Sequence, residues 1–208
     1  MISAALSGFA LSLSLILAIG AQNSFVIRQG LLNQHVLAVV LFCGLSDMML
    51  ICLGVLGLGQ LLTPVFDLYG AWLFALAALW LAGYGVLRLR DGLQMATSFD
   101  KASAPGLPQT SLARTISVVA VLTFANPHVY LDTVILLGSL SVPYQEGEKL
   151  AFTAGASAAS LLFFSVLGFG ARRFSRYMTS VRAWQLIDFA TAFVMLLFAA
   201  LLLTQITG

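Results

Sequence analysis

The sequence predicts an all-α integral membrane protein: six transmembrane helices, built as two inverted three-helix repeats, with both termini outside the cytoplasm. Three observations predict it. The first is composition: of 208 residues, 60% are hydrophobic and 9% are charged, and the mean hydropathy is +0.99. Soluble domains carry about 25% charged residues, so eighteen charged side chains cannot cover a soluble globule of this size. The second is the apolar runs. A bilayer-spanning helix needs about 20 apolar residues, and six take about 120, which leaves no room for a soluble catalytic domain. The third is the placement of the basic residues, nine of whose ten fall in alternate connections.

Element by element, the apolar runs bounded by charge and turn residues are 3–27, 36–61, 68–89, 115–140, 150–170 and 184–206. The first could be mistaken for a secretory signal. It has no Lys or Arg ahead of it and exceeds a signal core in length, so it reads as a retained helix. The second run contains Asp47 and both cysteines. Cys43 and Cys52 are nine residues apart, which puts them on opposite faces of a helix as packing residues rather than a dithiol. The glycine-rich close of this run, residues 56–59, lacks the pattern of a phosphate loop. A connector over 91–114, with Ser98, Pro105, Gly106 and Pro108, reads as a flexible linker after a short helical continuation from Arg88 to Met95. It divides the chain into a first repeat, 1–90, and a second, 115–208.

Orientation follows from the loops. Arg28 lies in the first connection; Arg88, Arg90, Lys101 and Arg114 lie in the third; Arg172, Arg173, Arg176 and Arg182 lie in the fifth. Only Lys149 lies on the other side. The positive-inside rule makes the basic side cytoplasmic. The two halves echo each other. A break at Gly20-Ala21-Gln22-Asn23 corresponds to one at Ala125-Asn126-Pro127-His128, and each is followed by a short apolar stretch ending in Gly30 or Gly138. Three spans per half forces the second half to be inverted. Inverted repeats with interrupted helices in matching places point to a transporter and its binding site.

The chemistry-bearing residues gather at these breaks. Asp47 sits near the middle of an apolar run, where an unpaired carboxylate costs several kcal/mol, so it reads as a ligand or proton site rather than a packing device. Asp132 lies one helical turn after His128 and shares its face. Pro127 removes a backbone donor and loosens the turn before it, and Asn126 is placed to cap the helical segment after it. Tyr130 adds a phenol to the same stretch. Gln22 and Asn23 supply polar groups at the first break, and Gly20 allows unwinding there because it has no Cβ. His128 serves either a proton or ligand role or the orientation of Asp132. Asp188 reads as an ion pair with Arg182 or a helix N-terminal charge. Tyr84 reads as an interfacial or packing residue. Ala4/Gly8/Ser12 and Ala151/Gly155/Ala159 are stripes of small residues for close helix contact. Two His and two Cys at no ligand spacing give no metal site.

The strings from Ile19 to Gly30, Leu45-Ser46-Asp47 and Asn126-Pro127-His128-Val129-Tyr130-Leu131-Asp132-Thr133 resemble the lysine exporter (LysE) family, and Leu136 to Leu140 is most similar to its arginine exporter branch. The resemblance covers nearly the full length. It implies a multi-pass exporter of basic amino acids in the bacterial inner membrane, driven by an ion gradient, with Asp47 and Asp132 at functional acidic positions. Many members have Pro where this chain has Ala21, which makes a milder first kink.

From residues and resemblance together, the expected substrate is a basic amino acid such as arginine, lysine or canavanine. Asp47 and Asp132 would neutralise its cationic groups. Gln22, Asn23, Asn126 and Tyr130 would complete the site; Asp47, Asp132 and His128 are the proton-coupling candidates. The expected partners are this substrate and the lipid bilayer, without cofactor, metal or nucleic acid; a homo-oligomer is allowed but not specified. Three other classes stay open: an exporter of neutral amino acids, which would not need two acidic groups; a passive channel, since one Asn-Pro resembles half of a water-channel turn pair; and, last, a membrane-embedded enzyme.

Overall fold

The computed structural model describes residues 1–17, 20–97, 110–175 and 181–207. Among these residues every regular element is helical. Helix α1 spans Ile2–Ile16 and α2 spans Ala21–Leu32, with axes 84° apart across the first break. Helix α3, Val36–Leu53, runs into a π-helical turn, Gly54–Leu58. There Gly57 has a φ of 90°, a backbone that glycine alone adopts without strain. Helix α4, Gly59–Thr97, is 39 residues long. Helix α5, Leu112–Phe124, meets the second break, where the axis turns by 62°, less than at the first, so Ala21 in place of Pro does not make the first kink the milder one. Beyond it come α6, Pro127–Tyr130, a π-helical segment, Leu131–Leu136, and α7, Leu137–Ser141. Helices α8, Glu146–Phe174, and α9, Val181–Thr207, complete the chain.

Four segments are long and apolar enough to cross a membrane: Val36–Leu58, Leu68–Gln94, Glu146–Phe174 and Gln185–Thr204. The bent pairs α1–α2 and α5–α7 each make either one broken span or a re-entrant segment, so the candidate spans number from four to six. The first part of the expected linker is the helical end of α4. Residues 98–109, with Lys101, and also Arg176, lie outside the described residues.

Helices α1, α2 and α3 pack on α8, and α4 packs on α9. In lipid, helices associate through close van der Waals contact rather than hydrophobic transfer, so small residues set the interfaces. The expected stripes on α1 and α8 meet reciprocally. A Cβ on Gly8 would strike the Phe152 carbonyl, and one on Gly155 would strike the Ala5 carbonyl. Gly30 of α2 lies against the Gly168 carbonyl of α8, where a Cβ would come within 2.5 Å, and Gly138 of α7 lies against the Gly54 carbonyl, where a Cβ would come within 2.6 Å.

At the end of the bundle that carries Arg28 and Arg88, a buried ionic cluster ties three helices. Arg28 of α2 donates from Nε and Nη2 to Asp188 of α9, at 3.2 and 3.1 Å. Arg88 of α4 lies 3.7 Å from the same oxygen and 3.1 Å from Asp91, and its guanidinium sits over the buried ring of Tyr84. Asp188 therefore does not pair with Arg182, which is exposed. Six residues along a helix amount to about 240° of rotation, so Arg182 leaves from another face. Beside this cluster, Gln34 and His35 in the α2–α3 turn bond to Thr110 just ahead of α5.

Candidate functional site

Both helix breaks open on one cavity of about 370 Å³ between the two apolar cores. Phe164 and Ile16 border it from the core around Phe25, Val40 and Met195; Leu137 and Leu15 border it from the core around Ile51 and Phe152. The volume falls within the range of small-molecule sites, about 300–1,000 Å³.

The first wall is the α1–α2 break. Gly20 is the N-cap of α2 in an extended conformation, φ −102° and ψ −177°. Any residue adopts that backbone, so its glycine is not there to permit unwinding. A Cβ on Gly20 would meet nothing within 4 Å. What the glycine leaves is open space at the cavity wall. Asn23 donates from Nδ2 to the Ile16 carbonyl, 3.1 Å away, and so ties the end of α1 to the start of α2. Gln22 also lines the cavity, and its Nε2 is buried without a partner among the described residues.

The second wall is the α5–α6 break. Pro127 stands at the first turn of α6, where its missing N–H costs nothing, so it starts a helix rather than kinking one. Asn126 caps that helix: its Oδ1 accepts from the His128 N–H at 3.1 Å. His128 and Asp132 both face the cavity, one turn apart, and the His128 ring packs near Phe74.

Asp47 enters from α3 and is 4% exposed, beside the Ser160 hydroxyl of α8. Cys43, one turn earlier on α3, touches Gln22, which joins the first wall to this helix. Of the residues singled out in the sequence, Gly20, Gln22, Asn23, Asp47, Asn126, His128 and Asp132 line this one cavity. Tyr130 and Pro127 do not. The Tyr130 hydroxyl donates to the Phe124 carbonyl at 2.9 Å, and both residues face a separate apolar groove beside Leu73 and Leu76 of α4. Two positions on a helix differ by about 200°, so Tyr130 and Asp132 cannot share a face.

The sequence reading missed Ser12, Thr133, Phe164 and Phe198, which also line the cavity. Ser12 carries only the small-residue signal of its stripe, and the aromatics look like any others in an apolar run. Among the described residues, no three His, Cys, Asp or Glu side chains come together as a metal site. Two carboxylates and an imidazole in a largely apolar chamber suit the binding of a small cation with polar donors.

Residues 13–206 match the family described as LysE type translocator. A protein of Mycobacterium tuberculosis whose name refers to amino-acid transport is 37% identical over 185 residues, 88% of this chain and 89% of its own. The lysine exporter LysE of Corynebacterium efficiens is 35% identical over 215 residues, covering 91% of this chain and 93% of its own. The arginine exporter ArgO of Serratia proteamaculans is 36% identical over 197 residues, at 94% and 93%. No solved structure matches. These relatives are named as transporters and exporters, not as enzymes. On this full-length likeness, and with both helix breaks meeting at one chamber, the chain belongs to the LysE type translocator family.

Proposed function

We propose that the protein exports basic amino acids, arginine, lysine or analogues such as canavanine, from the cytoplasm across the bacterial inner membrane by proton antiport. The observation that carries this reading is the convergence of Asp47 and Asp132, from opposite halves of the chain, on one cavity. A carboxylate in a low-dielectric chamber needs a cation or a proton. Substrate cation and proton then alternate on the same groups: protonation from outside weakens cation binding and releases the substrate. Moving +1 outward against an inside-negative potential costs about 2.3 kcal/mol per 100 mV. One proton entering per cation leaving cancels that electrical cost and leaves the pH gradient as the drive. Gln22, Asn23 and the backbone at the two breaks meet the substrate's carboxylate and remaining donors, and His128 orients Asp132 or relays its proton.

The two halves, 1–90 and 115–208, act as inverted repeats of three spans, with both termini outside. The glycine contacts support this: Gly30, after the first break, meets Gly168 of α8, and Gly138, after the second, meets Gly54 after α3. Each half therefore rests the helix beyond its own break on the second span of the other half. Rocking of the halves about the shared cavity would alternate access.

The test is counterflow in proteoliposomes with labelled arginine, competed by lysine, canavanine and neutral amino acids, with and without a pH gradient. Saturable exchange competed by the basic amino acids and accelerated by an inward proton gradient is expected. Non-saturating flux, or competition by neutral amino acids alone, would overturn the reading.

A further inference from the structure

Both breaks present a helix N-terminus to the cavity, yet the two ends differ chemically. At the second, Pro127 has no N–H and Asn126 Oδ1 already accepts from the His128 N–H. Its donors are absent or used. At the first, α2 begins on Gly20, which has no side chain to cap with. The first helical bond runs from the Ser24 N–H to the Gly20 carbonyl at 3.1 Å. The N–H groups of Ala21 and Gln22 therefore have no acceptor within α2.

A second, independent feature stands at the same place. Gln22 is 7% exposed, lines the cavity, and holds its Nε2 buried without a partner among the described residues. A buried amide donor left unsatisfied is costly, and an anionic acceptor relieves that cost most effectively. The neighbouring Asn23 is not equivalent, because its amide is engaged with the Ile16 carbonyl. Gly20 adds the space: neither its φ of −102° nor any neighbour within 4 Å demands a glycine, and its absent side chain leaves the approach to the helix end clear.

Building on the export of basic amino acids, we propose that the substrate's α-carboxylate docks on the N-terminal turn of α2, held by the backbone N–H groups of Ala21 and Gln22 and by Gln22 Nε2. Of the two breaks, then, the first alone holds the carboxylate, and the second is left to the substrate's remaining donors. The substrate then lies with its anionic end on the positive end of α2 and its cationic groups toward Asp47 and Asp132. Gln22 selects for an amino acid over its decarboxylated amine, and Asn23 is a positioning residue for the break.

The experiment is arginine counterflow in proteoliposomes, competed by unlabelled arginine and by agmatine, which keeps the guanidinium and lacks the carboxylate. In the wild type, agmatine competes about tenfold or more weakly than arginine. Gln22→Ala removes the amide. Gly20→Ala puts a methyl into space that the fold leaves empty, so that variant remains folded. Each weakens arginine about tenfold and leaves agmatine within about twofold, so the two ligands become equivalent. Asn126→Ala, which removes the cap at the other break, affects both ligands alike. Wild-type exchange with the arginine preference intact in both Gln22→Ala and Gly20→Ala overturns the carboxylate site alone. Wild-type vesicles that exchange no basic amino acid overturn the transport reading beneath it.

Discussion

Arg28 and Asp188, 160 residues apart in sequence, share one carboxylate oxygen with two guanidinium nitrogens, at 3.2 and 3.1 Å. Asp188 is 1% exposed at its side chain and Arg28 is 12% exposed. Removing Arg28 leaves the buried Asp188 carboxylate without its hydrogen-bonded partner, with only Arg88, at 3.7 Å, among the described residues. Arg28→Ala is expected to destabilise the protein by about 3–5 kcal/mol. The double variant Arg28→Leu/Asp188→Leu recovers most of the loss, because Arg88 keeps Asp91 at 3.1 Å. Thermal unfolding in detergent checks this; a double variant no more stable than Arg28→Ala contradicts it.

Asp47→Asn and Asp132→Asn each retain size and hydrogen bonding while removing the negative charge that the proposed mechanism needs for a cation. Each is expected to abolish arginine efflux from preloaded cells, with protein present in the membrane at wild-type amount. Wild-type efflux from either variant would remove that residue from the mechanism.

Tyr130 makes its bond to the Phe124 carbonyl outside the cavity. Tyr130→Phe is expected to leave the half-saturating concentration for arginine unchanged and to lower stability by about 0.5–1.5 kcal/mol. Counterflow kinetics alongside a melting curve separates the two effects. A changed affinity at unchanged stability would bring the phenol back into the site.

The glycines divide into two groups. A methyl on Gly8 or Gly155 strikes a backbone carbonyl of the facing helix, whereas one on Gly83 or Gly170 meets nothing within 4 Å. Gly8→Ala and Gly155→Ala are each expected to cost about 1–3 kcal/mol through forced separation of α1 and α8. Gly83→Ala and Gly170→Ala are expected to stabilise by up to about 1 kcal/mol through helix propensity. Melting temperatures of the four variants make the comparison.

The apolar runs, both breaks and the two aspartates of the cavity are legible in the sequence because lipid permits few solutions: a long apolar run must be helical, and a carboxylate inside one stands out. The partners of Asp188 are not legible. Sequence nearness favours Arg182, whereas its helix face turns Asp188 inward with Thr191, Ala192, Met195, Ala199 and Leu202. Its partners come from α2 and α4, a tertiary fact with no local signal. Proximity groups Tyr130 with Asp132, although the helical period separates them. Gly20 looks like a backbone requirement, but its φ is ordinary and what matters is the emptiness beside it. The continuation of α4 past Arg88 is legible, whereas its start at Gly59 and the π-helical turns after α3 and α6 leave no trace in apolar periodicity.

Helices α1 and α8 touch through backbone at Gly8 and Gly155, where what each glycine faces first is a carbonyl group of the other helix rather than a side chain. The contacts of α4 with α9 are of another kind: a Cβ on Gly85 would come within 2.9 Å of the branched end of Leu196, and one on Gly92 within 2.9 Å of the edge of the Phe189 ring. Those side chains can swing aside, whereas a carbonyl in a helix cannot. A sliding motion needs yielding parts at the sliding surface. The α4–α9 interface has them at Gly85 and Gly92, whereas α1 and α8 meet at Gly8 and Gly155 through rigid backbone, which favours their moving together over sliding past each other.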